Sequence, residues 1–519
     1  MPSQLSQRMS AEDASFLYFE NSAAPLHIGT VGIFEGKIDF DKFRASMASR
    51  MHLIPRYRQR AIIPPLYAGH PTWADDPQFS LDRHVKLVEL SAPGTRQQLA
   101  DLCCELFEPV LARDRPLWDM FVIHGLEGGN SAMLSRVHHC MVDGVSGIEL
   151  LLAVMDLVPD PEPQPAPAEE WNPAEPPGPL QSWSDAMFAR WDQNLRAFNE
   201  LQQGLLDPQT QFRQMTAFAR ALEVALPATV RPRPPTPWNK RVSSKRRVAW
   251  TELNFQEVRG IRGRLGGTVN DVVLTVLGGA LGRYMTDHGE KVSDVALRFM
   301  IPVNVRSETQ QGALGNRVSM MLPNIPVGIT SPADRLVAVR AETERLKSGN
   351  QAGAFEAMVR MSENIPAAVF ALAGMGGVPP GGANLVCTNV PGPLIPLYSV
   401  GQRLLASYPM MPLAGDMGIG VAIMSYHKHL YLEIMSDPTI IDDVETIRKY
   451  VDEEFAMLRY VADVAVSDLP DIGSAPHNGA HGNGLQPKAV QRSEPSTPIA
   501  APASEPATVS ADAGSTAIS

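Results

Sequence analysis

Cysteine is scarce in this chain: Cys103, Cys104, Cys140 and Cys387 are the four present in 519 residues. No CxxC pair or zinc-ligand spacing occurs among them, so neither a disulfide framework nor a metal site is expected, and reduced thiols in a cytosolic compartment are the simplest reading. Long hydrophobic runs are also missing. The longest apolar stretches, residues 271–282 and 365–378, fall short of the roughly 20 residues that cross a bilayer. The opening MPSQLSQRMSAEDASFLYFE has no basic region followed by an apolar core and a small-residue cleavage site. A secretory signal and a transmembrane helix are therefore not expected. Positive charge is in deficit, with 45 Lys and Arg against 56 Asp and Glu and a formal net charge of −11. That balance argues against nucleic acid, whose phosphates demand clustered cations. One basic stretch runs against the trend: Arg231, Arg233, Lys240, Arg241, Lys245, Arg246 and Arg247. It reads as a solvated linker or as a site for a small phosphorylated ligand. No GxxxxGK[ST], no GxSxG and no 20–50-residue repeat occurs, and GDMGIG at Gly415–Gly420 reads as a loop entering a strand.

What is present is enough for two folded domains. Hydrophobic residues make up 44% and charged residues 19% of a chain too long for one ordinary core. Proline density marks residues 158–179 as an exposed connector. Beyond it, Trp183, Met187, Trp191, Leu195 and Phe198 recur at helical spacing, as do Phe212, Met215, Phe218 and Leu222, with Asp207-Pro208 between the two runs. A second proline cluster, RPRPPTPWN, closes the connector. The predicted organisation is an N-terminal α/β domain over residues 1–157, a proline-rich and helical linker over 158–245, a C-terminal α/β domain over 246–466, and a tail over 467–519. The tail is rich in Ala, Ser, Pro and Gly and is expected to be disordered.

The stretch HHCMVDG, His138 to Gly144, carries the densest chemistry. AMLSRV before it has the content of a buried strand, and VSGIELLLAVMDLV after it has helical spacing, so the histidines sit where a strand ends. Successive side chains of a strand point to opposite faces. One histidine should therefore face a reaction and the other the structure. Asp143-Gly144 is a turn signal, and Asp143 suits a loop hydrogen bond, a buried arginine or a histidine ring. An imidazole accepts a proton from a hydroxyl near neutral pH. A zinc site and a Cys140 nucleophile both suffer from the divergence of adjacent side chains, and packed core histidines are the plain alternative.

HHxxxDG is the motif of the acyl-CoA-dependent acyltransferases of chloramphenicol acetyltransferase-like fold, and condensation domains of peptide synthetases share it. The text around it narrows the resemblance: MSAEDASFLYFENSAAPLHIGTVGIFEG, RPLWDMFVIHGL, TVNDVVLTVLGGALGRY, IPVNVRSE, LGNRVSMMLPNIPV and TNVPGP. Over residues 9–462 the chain resembles the bacterial wax ester synthase/diacylglycerol acyltransferase family. The resemblance implies two chloramphenicol acetyltransferase-like α/β domains and transfer of a fatty acyl group from long-chain acyl-CoA, a substrate and not a cofactor, to diacylglycerol or a long-chain alcohol. It implies that His139 is the general base, that His138 supports the site, that Asp143 holds the loop, and that Gly144 permits the turn. Asn270 is the implied polar contribution of the second domain, near the thioester oxygen or the base, and Asp271 the cap of the helix that follows. Pro116, Leu117 and Trp118 are implied to line a substrate channel, with core packing as the alternative for Trp118. Peripheral attachment to the inner face of the membrane or to lipid bodies is expected, with the helices of residues 183–222 and the segment 365–378 as candidate contacts. Two other readings stay open: condensation chemistry on carrier-protein thioesters, and a non-catalytic lipid-body scaffold.

Overall fold

A computed structural model of the chain describes residues 8–141, 154–162, 164, 170–206, 216, 232–304, 318–349, 353, 365–374 and 382–467. The first half contributes α1 (Ala11–Phe19), β1 (His27–Phe34), α2 (Phe40–Arg50), β2 (Gln59–Ile62), β3 (Thr72–Asp75), β4 (Val85–Glu89), α3 (Arg96–Phe107), β5 (Trp118–His124) and β6 (Ser131–His138). Helix α4 (Pro179–Leu206) follows. The second half contributes β7 (Arg247–Asn254), α5 (Phe255–Leu265), α6 (Val269–Asp287), β8 (Ala296–Asn304), β9 (Val318–Met321), β10 (Asn324–Pro326), α7 (Pro332–Ser348) and α8 (Ala367–Gly374). It ends with β11 (Leu385–Val390), β12 (Tyr398–Ser399), β13 (Gln402–Met410), β14 (Ile419–Tyr426), β15 (His429–Ser436) and α9 (Val444–Val461).

Apart from β2 and β3, which pair as a separate two-stranded sheet, these strands form two mixed sheets. The first runs β12-β13-β1-β6-β5-β4 and the second β10-β8-β11-β14-β15-β7, with β9 on the flank of β8. Each supports its own hydrophobic core. Strands β5 and β14 are buried along their whole length, which is why their sequences read as near-continuous apolar runs instead of alternating ones. Helix α6 is apolar on nearly all sides for the same reason, lying in the second core. Gly279 and Gly282 let neighbours close on it. A Cβ at Gly279 would meet Arg335 Nη1 at 1.5 Å, and one at Gly282 would meet Val327 O at 2.1 Å. Arg335 is buried there and pairs with Glu454 at 2.9 Å.

The boundaries drawn from composition differ from the architecture in two places. Strands β12 and β13 lie well past residue 246, yet they complete the first sheet, β13 pairing antiparallel with β1. The end of the expected linker is packed, not solvated. Trp238 is fully buried and donates its indole N–H to Asn384 O at 3.1 Å. The basic stretch is committed in the same way, Arg233 to Asp416, Lys245 to Glu108 at 2.9 Å, and Arg246 to the carbonyls of Ser243 and Ala23. Arg233, Lys245 and Arg246 are thus held by partners mostly distant in sequence, whereas Lys240 and Arg241 are exposed and Arg231 lies outside the described residues. GDMGIG is a turn, Gly415 at φ +66°, entering β14. Helix α4 matches the first helical run; Phe212, Met215, Phe218 and Leu222 lie outside the described residues, as does the tail from 468.

Among the described residues no single helix is long and apolar enough to cross a membrane. The pair α5 and α6 passes by composition but bends by 97°, and α6 is core.

The two sheets touch where β13 packs on β15. Immediately after β13, the Met411 N–H donates to Glu433 Oε2 at 3.0 Å, and Glu433 is fully buried. Burial pushes this carboxyl well above its ordinary range, against the opposing effect of that N–H bond. Below the ordinary value of 4.5 both folded and unfolded chains hold the proton. Above it only the folded chain does, so the group subtracts about 1.4 kcal/mol of stability per pH unit until it ionises in place. The variant Glu433→Gln, neutral throughout, is expected to gain thermal stability over the parent progressively as the pH rises above the ordinary carboxylate range; a gain independent of pH would show that Glu433 ionises normally.

Candidate active site

The alternation of β6 sorts the motif. Ser135, Val137 and, just past the strand, His139 face a cavity of about 600 Å³ between the two sheets, which His138 does not line. His138 is fully buried. Its Nδ1 accepts from Cys140 N at 3.2 Å, which assigns the ring proton to Nε2. That nitrogen lies 3.3 Å from Glu20 Oε1, close but not aligned as a good hydrogen bond. Glu20, the residue that ends α1, is itself tied on both oxygens, accepting from Leu26 N at 2.9 Å and from Arg113 at 2.8 Å. Burial alone would raise the Glu20 pKa, but His138, the Leu26 N–H and Arg113 together hold it down to about 2. Directly opposite His138 in the β1–β6 register stands His27, lowered to about 3 by burial and by the charge of Arg136.

His139 is placed by two contacts. Its backbone N–H donates to Leu26 O at 3.0 Å, and its ring lies flat on Phe16 of α1, centroids 4.0 Å apart and planes 7° from parallel. Helix α1 therefore leads into the residue that fixes the buried histidine and carries the one that orients the cavity-facing one. Its start is secured by Ser10, which accepts from Asp13 N at 3.0 Å.

The rest of the cavity wall is mostly apolar. Phe16, Phe19, Ile28, Val137, Trp118 and Met120 form the side belonging to the first sheet. Met300, Pro302, Val386 and Met424 form the other, with Met410, Met411 and Met417 near the apex. Unbranched methionines adapt to flexible apolar chains. Trp118 is held by its indole N–H on Tyr57 O at 2.9 Å and by stacking on His84, so it is both a packed residue and part of the wall. Leu117 lies in the core, and Pro116 borders a separate pocket of about 150 Å³; neither lines the main cavity. Cys140 is buried off the cavity, and burial drives its thiol pKa well up, which disfavours the thiolate a nucleophile needs. Asp143 and Gly144 lie outside the described residues.

Asn270 departs from expectation. It is exposed in the first turn of α6 and does not line the cavity. Its Oδ1 accepts from Asn389 Nδ2 at 2.5 Å. On β11 the cavity-lining residues are Val386, Thr388 and Val390, so Asn389 points to the opposite, helix-covered face. Asp271 caps α6: its Oδ2 accepts from Thr268 N at 2.8 Å and its own N–H donates to Thr268 Oγ1 at 3.2 Å. Glu20, Phe16 and Thr388 are site residues that sequence reasoning does not single out. They fall inside the sequence blocks that carry the resemblance, but no local spacing marks them.

The site is thus a histidine ring on the wall of an apolar cleft between two mixed sheets. A family profile described as the wax ester synthase/diacylglycerol acyltransferase catalytic domain matches residues 9–273, and one for the WS/DGAT C-terminal domain matches residues 314–459. A Mycobacterium tuberculosis protein described as a probable diacyglycerol O-acyltransferase is 30% identical over 460 residues, 86% of this chain and 94% of that protein. Among solved structures, a wax ester synthase/diacylglycerol acyltransferase from Marinobacter aquaeolei VT8 aligns with TM-score 0.61 at 20% identity, over 88% of this chain and 100% of that one. A starter condensation domain of rhizomide synthetase, solved with C8-CoA, aligns with TM-score 0.53 at 15% identity, over 90% and 98%. The chain belongs to the wax ester synthase/diacylglycerol acyltransferase family and is an O-acyltransferase.

Replacing Glu20 by Gln strips the charge that His138 and Arg113 face. The expected cost is roughly 1–3 kcal/mol, that of leaving buried polar groups poorly satisfied. Because the Glu20 pKa is lowered from 4.5 to about 2, its contribution is complete above pH 4.5 and fades as the pH falls toward 2. Chemical denaturation of Glu20→Gln and the parent at neutral and at acid pH checks this: the gap between them should narrow in acid, and a constant gap would contradict the ionised assignment.

Proposed function

We propose that this enzyme esterifies diacylglycerol or a long-chain alcohol with the acyl group of long-chain acyl-CoA, giving triacylglycerol or wax ester and free CoA, with His139 as general base. The observation that carries the reading is the His139 ring, fixed by Phe16 and Leu26 on the wall of a largely apolar cavity. The acceptor O–H gives its proton to the imidazole as its oxygen bonds to the thioester carbon. The tetrahedral intermediate then collapses, the C–S bond breaks, and the departing sulfur takes the proton from His139. No covalent acyl-enzyme is needed, since the thioester is already activated. The apolar wall excludes the water that would otherwise hydrolyse it. His138 serves as a supporting group through Glu20, Asp143 as a loop anchor and Gly144 as the turn residue.

The acceptors are lipids, and the reading includes peripheral contact with a membrane or lipid-body surface, at the cytoplasmic side. Helix α4 exposes Leu180, Phe188 and Trp191, and α8 exposes Val369 and Leu372 while its Phe370 lines the cavity.

Release of CoA from palmitoyl-CoA, measured with hexadecanol and with dioleoylglycerol in separate reactions, tests the reading. Acceptor-dependent release is expected, falling about 10²–10⁴-fold in His139→Ala with little change in melting temperature, whereas His138→Ala should lower the melting temperature. Release that needs a carrier-protein thioester, or none from any donor, would contradict it.

A further inference from the structure

The wall that carries His139 also presents a phenol that proton transfer does not use. Tyr57 sits in a short 3-10 turn, Pro55–Arg58, between α2 and β2. Its N–H donates to Ile54 O at 2.9 Å, and its C=O accepts the Trp118 indole N–H at 2.9 Å. The preceding residue, Arg56, lies with its guanidinium 4.5 Å from the centroid of the Trp73 ring. The phenol ring itself rests against Trp118, centroids 5.0 Å apart. Turn and ring are thereby fixed before any ligand arrives.

The hydroxyl at the end of this ring has no hydrogen-bond partner among the described residues, although Tyr57 is buried and lines the cavity. Burial pushes the phenol well above its ordinary range, so it stays protonated and available as a donor. Other polar groups on the same wall are committed. Ser15 donates to Glu12 O at 2.6 Å, Thr30 and Ser135 bond each other at 2.9 Å, and Arg136 is held by Asp119 at 2.6 Å. Thr388 belongs to the opposite wall, on β11. A buried hydroxyl facing apolar surroundings costs free energy unless the ligand brings it an acceptor.

The register places Tyr57 beside the acceptor. Val137 stands directly opposite Trp118 in the β5–β6 pairing, and His139 is the next residue on that face. His139 is therefore diagonal to Trp118, a backbone separation of about 7–8 Å, and Tyr57 packs on the same indole. The acceptor hydroxyl has to meet His139, so the atoms next to that hydroxyl lie along this wall. In a diacylglycerol the neighbouring carbon bears an acyl ester, whereas in a long-chain alcohol it is a plain methylene. We propose that the Tyr57 hydroxyl donates a hydrogen bond to an ester carbonyl of a diacylglycerol acceptor, and so biases the cavity toward glycerides over plain alcohols. The proposal rests on the acyl-transfer reading with His139 as base. No bond to Tyr57 forms or breaks. When an alcohol binds, its methylenes cover the phenol and leave it unpaired, so the group that favours a glyceride disfavours an alcohol.

Steady-state kinetics with palmitoyl-CoA and three acceptors test the assignment: dioleoylglycerol, its diether analogue dioleylglycerol, which lacks the carbonyls, and hexadecanol. The parent should use the diester better than the diether by roughly 3–10-fold in kcat/KM, the range of one net hydrogen bond. Tyr57→Phe should lose that factor on the diester, leave the diether unchanged, and keep or improve the rate with hexadecanol, with a melting temperature near that of the parent. Should Tyr57→Phe fail to fold, Tyr57→Leu carries the same comparison. A parent that does not distinguish diester from diether overturns the proposal, as does a loss in Tyr57→Phe that the diether shares, or no loss at all. A parent that acylates hexadecanol but neither glyceride also overturns it, and acyl transfer itself survives each of these results. A parent that transfers to no acceptor overturns the reading and the proposal together.

Discussion

Strand β13 serves two cores at once, and the cleft follows from that constraint. It pairs with β1 in the first sheet although it comes from the second half of the chain, and it packs against β15 of the second sheet. Tyr408 of β13 stacks on Trp250 of β7 with centroids 4.8 Å apart, and its hydroxyl joins Arg96 of α3 to Glu252 of β7. Two sheets fastened along one edge and diverging from it leave a wedge of space. Apolar side chains line that wedge because both inner faces would otherwise have packed together.

An apolar wedge admits acyl chains but offers little to position a histidine. The chain concentrates its polar structure just behind the wall instead. Glu20 is buried with Arg113, Leu26 and His138 around it, and this cluster sets where β6 ends. Helix α1, which Glu20 terminates, sends Phe16 onto the His139 ring. One helix thus couples a buried ionic group to the orientation of the cavity-facing imidazole. On the other wall, the capped N-terminus of α6 reaches β11 through Asn270 and Asn389.

Much of this is legible in the sequence because it is written in local periodicity. The two-residue period of β6 separates His138 from His139, and the 3.6-residue period of Trp183, Met187, Trp191 and Leu195 marks α4, while the Asp271 cap is implied by the family's Asn-Asp pair. The remainder depends on contacts between residues distant in the chain. Nothing near Glu20 signals His138, nothing in RPRPPTPWN signals that Trp238 fills the second core, and nothing in QRLLASYPM signals that it joins the first sheet. Asn270 departs from its expected place for the same reason. A polar residue beside a helix cap is equally compatible with either face of the adjacent sheet, and only the partner, Asn389, decides.

In the proposed reaction the acceptor hydroxyl attacks the thioester directly across this cleft, with no nucleophile of the protein intervening. Intact-protein mass measured after incubation with palmitoyl-CoA in the absence of acceptor tests it most directly. An unmodified chain is expected, one that still forms ester once an alcohol or diacylglycerol is added. A palmitoyl adduct that forms and discharges at a catalytically competent rate, on Cys140 or any other residue, would contradict it.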